Sequence, residues 1–312
     1  MRKRFFIRHL WLVALLVGLL LSLAVIAPAC TQGEPTTGKI GVAVTIMPQA
    51  EFVESIGGDK VEVTVMVPSG ASPHTYEPTP SQMIALSDAR LYAKVGSGVE
   101  FELTWMDNLI AQNEDMLIVD CSEGVELQEM AAADEHEHEG EEAEGEEHEH
   151  GAMDPHIWLS PQNAIIMVRN IADGLIQIDP DNRDYYEQNR DDYIEQLTQL
   201  DSDIREGLAG VTNRVFMVFH PAFGYFASEY NLTMLAIEDE GKEPTMAGME
   251  YLIEQAEENN IKVVFAEPQY NQQSADVVAE EIGGVVVLIN PLASDYIDSL
   301  RAVLAEMVQA ME

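Results

Sequence analysis

One amphipathic stretch, from about Asn182 to Leu208, restricts the fold of this 312-residue chain more than any other feature. Its apolar positions Tyr186, Tyr193, Leu197, Leu200, Ile204 and Leu208 stand three, four or seven apart, one stripe along a single long helix. A crossover between neighbouring parallel strands needs far fewer turns, so this helix is long enough to tie two lobes together. On its N-terminal side, strands are predicted at Ile40–Ile46, Val61–Val67, Leu91–Val95 and Met116–Val119. Between and after them, helices are predicted at Pro48–Ile56, Pro80–Ser87, Glu100–Ala111 and Pro161–Ile176. On the other side the alternation repeats, with strands at Arg214–Phe219, Leu232–Ile237, Ile261–Phe265 and Val285–Ile289. Its helices are Ala222–Glu229, Thr245–Asn259, Gln272–Ile282 and Ser294–Met311. Alternation on both sides of a linking helix predicts an α/β fold of two lobes with mostly parallel sheets.

The first thirty residues read as an export signal. Arg2, Lys3, Arg4 and Arg8 form a basic segment, Leu10 to Ile26 an apolar one, and Ala27-Pro28-Ala29 supplies small residues before Cys30. The apolar run is short for a membrane span and leads into a polar linker, Thr31 to Lys39. A Cys after small residues resembles a bacterial lipobox, which makes Cys30 the candidate lipidation site. The other cysteine, Cys121, follows an apolar strand and reads as a buried small hydrophobe. The expected organisation is a signal peptide at 1–29, a lipid-anchored linker at 30–38 and an N-terminal lobe at 39–160. Linking helices at 161–210 and a C-terminal lobe at 211–312 complete it.

The formal charge is −39, and loss of the four basic residues of the leader takes it to about −43. Such a surface repels the phosphate backbone, which argues against nucleic acid as a partner. It attracts cations instead. The acidity is concentrated in a loop at 134–150, within the N-terminal lobe, where Asp134 to His150 carries ten carboxylates and four of the chain's eight histidines. His136, His138, His148 and His150 alternate with glutamates, a ligand set for borderline divalent cations. The run cannot bury apolar surface, so it is expected to be a solvated loop that collects metal without forming a selective site.

Outside that tract and the leader stand three histidines, His74, His156 and His220. His74 lies in a Pro-rich turn after the predicted strand Val61–Val67, and His220 directly follows the strand ending at Phe219. His156 lies between the acidic loop and the next helix. Ligands of open α/β sheets bind beyond the carboxyl ends of the strands, where two of these three residues sit. Each is next to a proline, which restricts its backbone. Three imidazoles on rigid loops make a Zn²⁺ site with one coordination position left over.

Four segments, P-H-T-Y-E-P-T-P at His74, D-P-H-I-W-L-S-P at His156, H-P-A-F-G-Y-F at His220 and F-A-E-P-Q-Y at Phe265 to Tyr270, carry a family resemblance. From about Lys39 onward the chain resembles the zinc/manganese solute-binding proteins of bacterial ABC importers, in their ZnuA-like branch. The resemblance implies two Rossmann-like α/β lobes joined by one long rigid helix, with the metal in the interlobe cleft. It implies His74, His156 and His220 as ligands, and an ABC permease as the partner. A monomeric binding protein with no catalytic residues is expected. Manganese-type relatives carry carboxylates at the third and fourth ligand positions, whereas His220 is a nitrogen donor that favours zinc. Manganese is the alternative cargo. The fourth position aligns with Asn290, where relatives carry Asp, so Asn290 and Glu267 are candidates for the fourth ligand or for the shell behind the ligands, with a water as the other fourth ligand. Glu267 reads equally as a structural cap on backbone N–H groups near Pro268. Asp154 and Glu77 are candidates for outer carboxylates, though both read more simply as solvated loop acids.

Two other classes compete. A zinc hydrolase also uses three histidines and a water, but the chain has no H-E-x-x-H. A surface zinc buffer or adhesin would make the acidic loop its main functional element.

Overall fold

Two sets of four short strands carry the fold, and each closes into its own parallel sheet. In the first, β1 (Ile40–Val44), β2 (Val61–Val65), β3 (Leu91–Lys94) and β4 (Leu117–Asp120) lie in the order β2-β1-β3-β4. In the second, β5 (Val215–Val218), β6 (Thr233–Ala236), β7 (Val263–Ala266) and β8 (Val285–Leu288) lie in the order β6-β5-β7-β8. All pairings are parallel, Ile40 beside Val61 and Val215 beside Thr233 among them. The computed structural model describes residues 38–130, 153–238, 244–270 and 272–311. Cys30 and the tract with His136, His138, His148 and His150 therefore lie outside the described residues.

The first lobe carries α1 (Met47–Gly57), α2 (Pro80–Ser87) and α3 (Glu100–Gln112), and α4 (Pro161–Ile178) packs on β3 and β4. The second carries α6 (Gly224–Glu229), α7 (Met246–Glu258), α8 (Gln273–Glu281) and α9 (Tyr296–Met311). Local chemistry starts several of these helices. Thr79 accepts from the Gln82 N–H, and the Gln82 side chain reaches back to the Thr79 N–H at 2.9 Å, with Pro80 in the first turn. Ser160 likewise caps α4 ahead of Pro161, and Thr245 caps α7. Seven of the eight strands are one or two residues shorter than the apolar runs predict, and β4 keeps its length one position further on. At β1 the reason is visible: Gln49 Oε1 accepts the N–H groups of Thr45 and Ile46, so the strand ends two residues early, at Val44.

The long helix α5 (Arg183–Leu208) is a single 26-residue element. Tyr186, Tyr193, Leu197, Leu200, Ile204 and Leu208 are all buried, so the expected stripe is its contact face. That face packs against α1 and α4 on one lobe and α9 on the other. One apolar core runs from the first sheet through α5 to α9, while a second, with Met217, Leu252, Val264 and Val278, fills the space under α7 and α8. Glu51 on α1 ties the lobes directly, accepting from the Tyr193 hydroxyl at 2.6 Å and from the Tyr296 N–H at the start of α9. Residues 39–312 form one compact unit. Cys121 is buried and free, and burial pushes its thiol well above the ordinary range, as a small hydrophobe would be placed. Among the described residues no helix is long and apolar enough to cross a membrane.

Candidate metal centre

In both sheets the strand order reverses beside the first strand, which opens a crevice at the carboxyl ends. The second lobe places a polar residue at each of its four strand ends: His220 after β5, Glu238 after β6, Glu267 after β7 and Asn290 after β8. His74 comes from the Pro-rich turn that follows β2, where Ser72 Oγ accepts its backbone N–H at 3.3 Å. His156 enters from the segment ahead of α4. That segment pairs back on Gln128 and Glu129 beyond β4, with the Asp154 N–H donating to the Gln128 carbonyl at 2.9 Å.

The three histidines converge, and one ring nitrogen of each lies within 4.8 Å of the other two. His156 and His220 are almost fully buried, and their Nε2 atoms stand 3.2 Å apart. The His74 ring lies 5.2 Å from that of His220, edge-on at 76°. Each Nδ1 faces a carboxylate: Glu100 for His74 at 3.0 Å, Asp154 for His156 at 2.8 Å and Glu238 for His220 at 2.9 Å. A carboxylate accepts only, so each Nδ1 carries the proton and each Nε2 presents a lone pair. Two lone pairs facing each other at 3.2 Å repel unless a proton or a cation lies between them. Burial lowers the pKa of His220 below the ordinary imidazole range, against the pull of Glu238, which favours the neutral, ligand-competent ring.

The outer carboxylates correct one expectation and add two residues. Asp154 is no solvated loop acid: it is 1% exposed, and its Oδ1 accepts both the ring and the backbone N–H of His156. The spacing D-P-H suits this local turn. Glu77 is exposed, as a solvated loop acid should be. Glu100 and Glu238 were not among the expected site residues, because they stand 26 and 18 positions from the histidines they hold. Only the strand-end rule could have flagged Glu238. A glycine completes the arrangement. A Cβ at Gly224 would lie 2.3 Å from Asp154 Oδ2, so the glycine of H-P-A-F-G-Y-F leaves room for that carboxylate.

Glu267 and Asn290 lie outside the converging set. Glu267 is fully buried, and its Oε2 accepts the His220 backbone N–H at 3.3 Å. That bond makes it a support of the His220 turn, and burial pushes its carboxyl up to about 8. Asn290 Oδ1 accepts from Gln269 Nε2 at 2.7 Å and from the Leu292 N–H at 3.1 Å, which occupies both lone pairs. It is thus an anchor of its own loop. Tyr270, also missed in the sequence, stacks on His220 with ring centroids 4.6 Å apart and 27° between planes. The cavity among the three imidazoles holds about 20 Å³, walled by Pro73, Trp158, Tyr270, Pro291 and Leu292. That is room for an ion and about one water-sized partner.

The chain's similarities agree with this geometry. The family model for ZnuA, described as zinc-uptake complex component A, periplasmic, matches residues 42–310. The high-affinity zinc uptake system protein ZnuA of Bacillus subtilis (strain 168) is 38% identical over 256 residues, 81% of this chain and 79% of that protein. The zinc-binding lipoprotein AdcA of Streptococcus pneumoniae (strain R6) is 30% identical over 295 residues, 90% of this chain but 55% of the relative. A crystal structure of ZnuA superposes with a TM-score of 0.80 at 40% identity, covering 88% of this chain and 100% of that one. The chain belongs to the family of the periplasmic zinc-uptake complex component A.

Proposed function

We propose that this protein is the extracytoplasmic receptor of a zinc importer, capturing Zn²⁺ between its lobes and delivering it to an ABC permease. One observation carries the reading: three Nε2 lone pairs converge on one small cavity, each backed by a carboxylate on Nδ1. His74, His156 and His220 are the ligands in this account. Two imidazole nitrogens on a tetrahedral zinc, each about 2.0–2.1 Å from the ion, stand about 3.3 Å apart. The 3.2 Å between His156 and His220 is close to that value. Nitrogen donors alone favour zinc over manganese, and the names of the zinc-uptake relatives support the same cargo. The cavity has room for an ion and a water but none for an organic substrate, which favours a carrier over a hydrolase.

In the same reading 1–29 is a signal peptide, 30–38 a linker tethered through lipid on Cys30, and the protein acts as a monomer. The lipoprotein relative supports the anchor. The tract with His136, His138, His148 and His150 serves as an auxiliary, lower-affinity collector. The lobes are taken as 39–160 and 211–312, with 161–210 linking them. Anomalous diffraction from crystals grown with equal Zn²⁺ and Mn²⁺ tests the cargo. Zinc at the three imidazoles is expected, and manganese there would replace zinc as the cargo.

A further inference from the structure

Gln269 has a buried polar atom with no partner. Its Oε1 accepts no hydrogen bond among the described residues, although the side chain lines the cavity between the histidines. The amide's orientation follows from its neighbours. The Leu292 backbone N–H can only donate, and it donates to Asn290 Oδ1 at 3.1 Å. Asn290 therefore presents an oxygen at that point, and the atom of Gln269 that meets the same oxygen at 2.7 Å must be the donor, Nε2. Oε1 is thus fixed as the unpaired end. A buried acceptor left without a partner costs about 1–3 kcal/mol, so its retention calls for a donor that the described residues do not supply.

The cavity offers few other places for such a donor. Pro73, Trp158, Pro291 and Leu292 wall it largely with carbon, the hydroxyl of Tyr270 is engaged with Ser72, and the cavity's volume of about 20 Å³ leaves room for little beyond the ion. The Trp158 Nε1–H is already given to the Pro291 carbonyl at 2.8 Å.

Resting on the zinc-receptor reading, we propose that Gln269 Oε1 accepts a hydrogen bond from the water that fills the fourth zinc position. Asn290 is the positioning residue that turns the amide toward it. Asn290 thus acts on the metal one residue removed, and the fourth ligand is a water held by Gln269. A zinc-bound water is a strong donor, because the ion polarises its O–H bonds.

The test uses the mature protein with Gln269→Leu, Gln269→Met, Asn290→Leu and the Gln269→Leu/Asn290→Leu pair. Zinc affinity is read by chelator competition and coordination by the visible spectrum of the Co²⁺ form. Both single Gln269 variants are expected to lose about 10- to 100-fold in zinc affinity and to shift the Co²⁺ bands. Asn290→Leu is expected to weaken binding less, and to add nothing once Gln269 is Leu. Wild-type affinity and spectrum in both Gln269 variants would overturn the proposal, as would an Asn290→Leu effect that persists undiminished in the pair. A wild-type protein that binds no zinc would instead overturn the receptor reading itself.

Discussion

Asp154 Oδ1 receives two hydrogen bonds from His156, one from the ring Nδ1 at 2.8 Å and one from the backbone N–H at 2.9 Å. One buried oxygen therefore sets both the tautomer and the direction of the ring. Asp154→Ala removes both constraints and is expected to weaken zinc binding about 10- to 100-fold, measured by competition with a chelator. Gly224→Ala presses a methyl group against the same carboxylate and should act in the same direction.

Ser97 holds the other side of the His156 segment, its hydroxyl donating to the buried carbonyl of Pro155 at 2.6 Å. Ser97 stands in the β3–α3 connection, which three residues later supplies Glu100, the partner of His74. The connection thus touches two of the three histidine segments. Ser97→Ala is expected to cost about 1–3 kcal/mol of stability and to reduce zinc affinity several-fold. Ser97→Thr should restore the affinity. Unchanged affinity in the alanine variant would confine the residue to stability.

The same connection is pinned by Glu102, which is buried and accepts from the N–H groups of Val95 and Gly96 at 2.6 and 2.9 Å and from the Thr45 hydroxyl. Burial outweighs these bonds and raises its pKa above the ordinary 4.5. The folded protein then holds this proton more tightly than the unfolded chain does. Its contribution to stability is fullest below about 4.5 and declines as pH rises through the folded value. In urea unfolding of the metal-free protein, the stability of wild type relative to Glu102→Gln should fall as pH rises above the ordinary glutamate value of 4.5. A relative stability that climbs as pH rises above that value would reverse the sign of the shift.

Glu51 is a polar clamp between lobes, joining α1 to Tyr193 on α5 and to the first N–H of α9. Glu51→Ala leaves the Tyr193 hydroxyl and the Tyr296 N–H without this acceptor and should cost about 2–4 kcal/mol in urea unfolding. A loss below about 0.5 kcal/mol would mean that Glu51 contributes little to holding the lobes together.

The scaffold was legible in the sequence because it rests on local or periodic signals. Thr79-Pro80 with Gln82, and Ser160-Pro161, announce helix starts that fall where they were predicted. The α5 stripe repeats often enough to mark its buried face residue by residue. His74, His156 and His220 were legible as the histidines left outside the leader and the acidic tract, each beside a proline. The carboxylates behind them were not. Glu100 and Glu238 reach their histidines through the fold, and nothing in their own neighbourhoods sets them apart from the many other acids of this chain. Asp154 looked solvated because burial depends on α6 and Tyr225, whose hydroxyl donates to its carbonyl at 3.3 Å. Asn290 took the place of a ligand in the sequence, yet its oxygen is committed to Gln269 and Leu292.

The central claim is that three imidazoles of the folded lobes, and not the acidic tract, make the tight zinc site. Calorimetric titration of the mature protein with Zn²⁺, alongside His74→Ala, His156→Ala, His220→Ala and a variant lacking 135–150, tests it most directly. Each histidine variant should lose at least about 100-fold in tight-site affinity, while the deletion variant keeps one tight zinc per chain. Tight binding that survives all three histidine substitutions, or disappears with the acidic tract, would contradict the account.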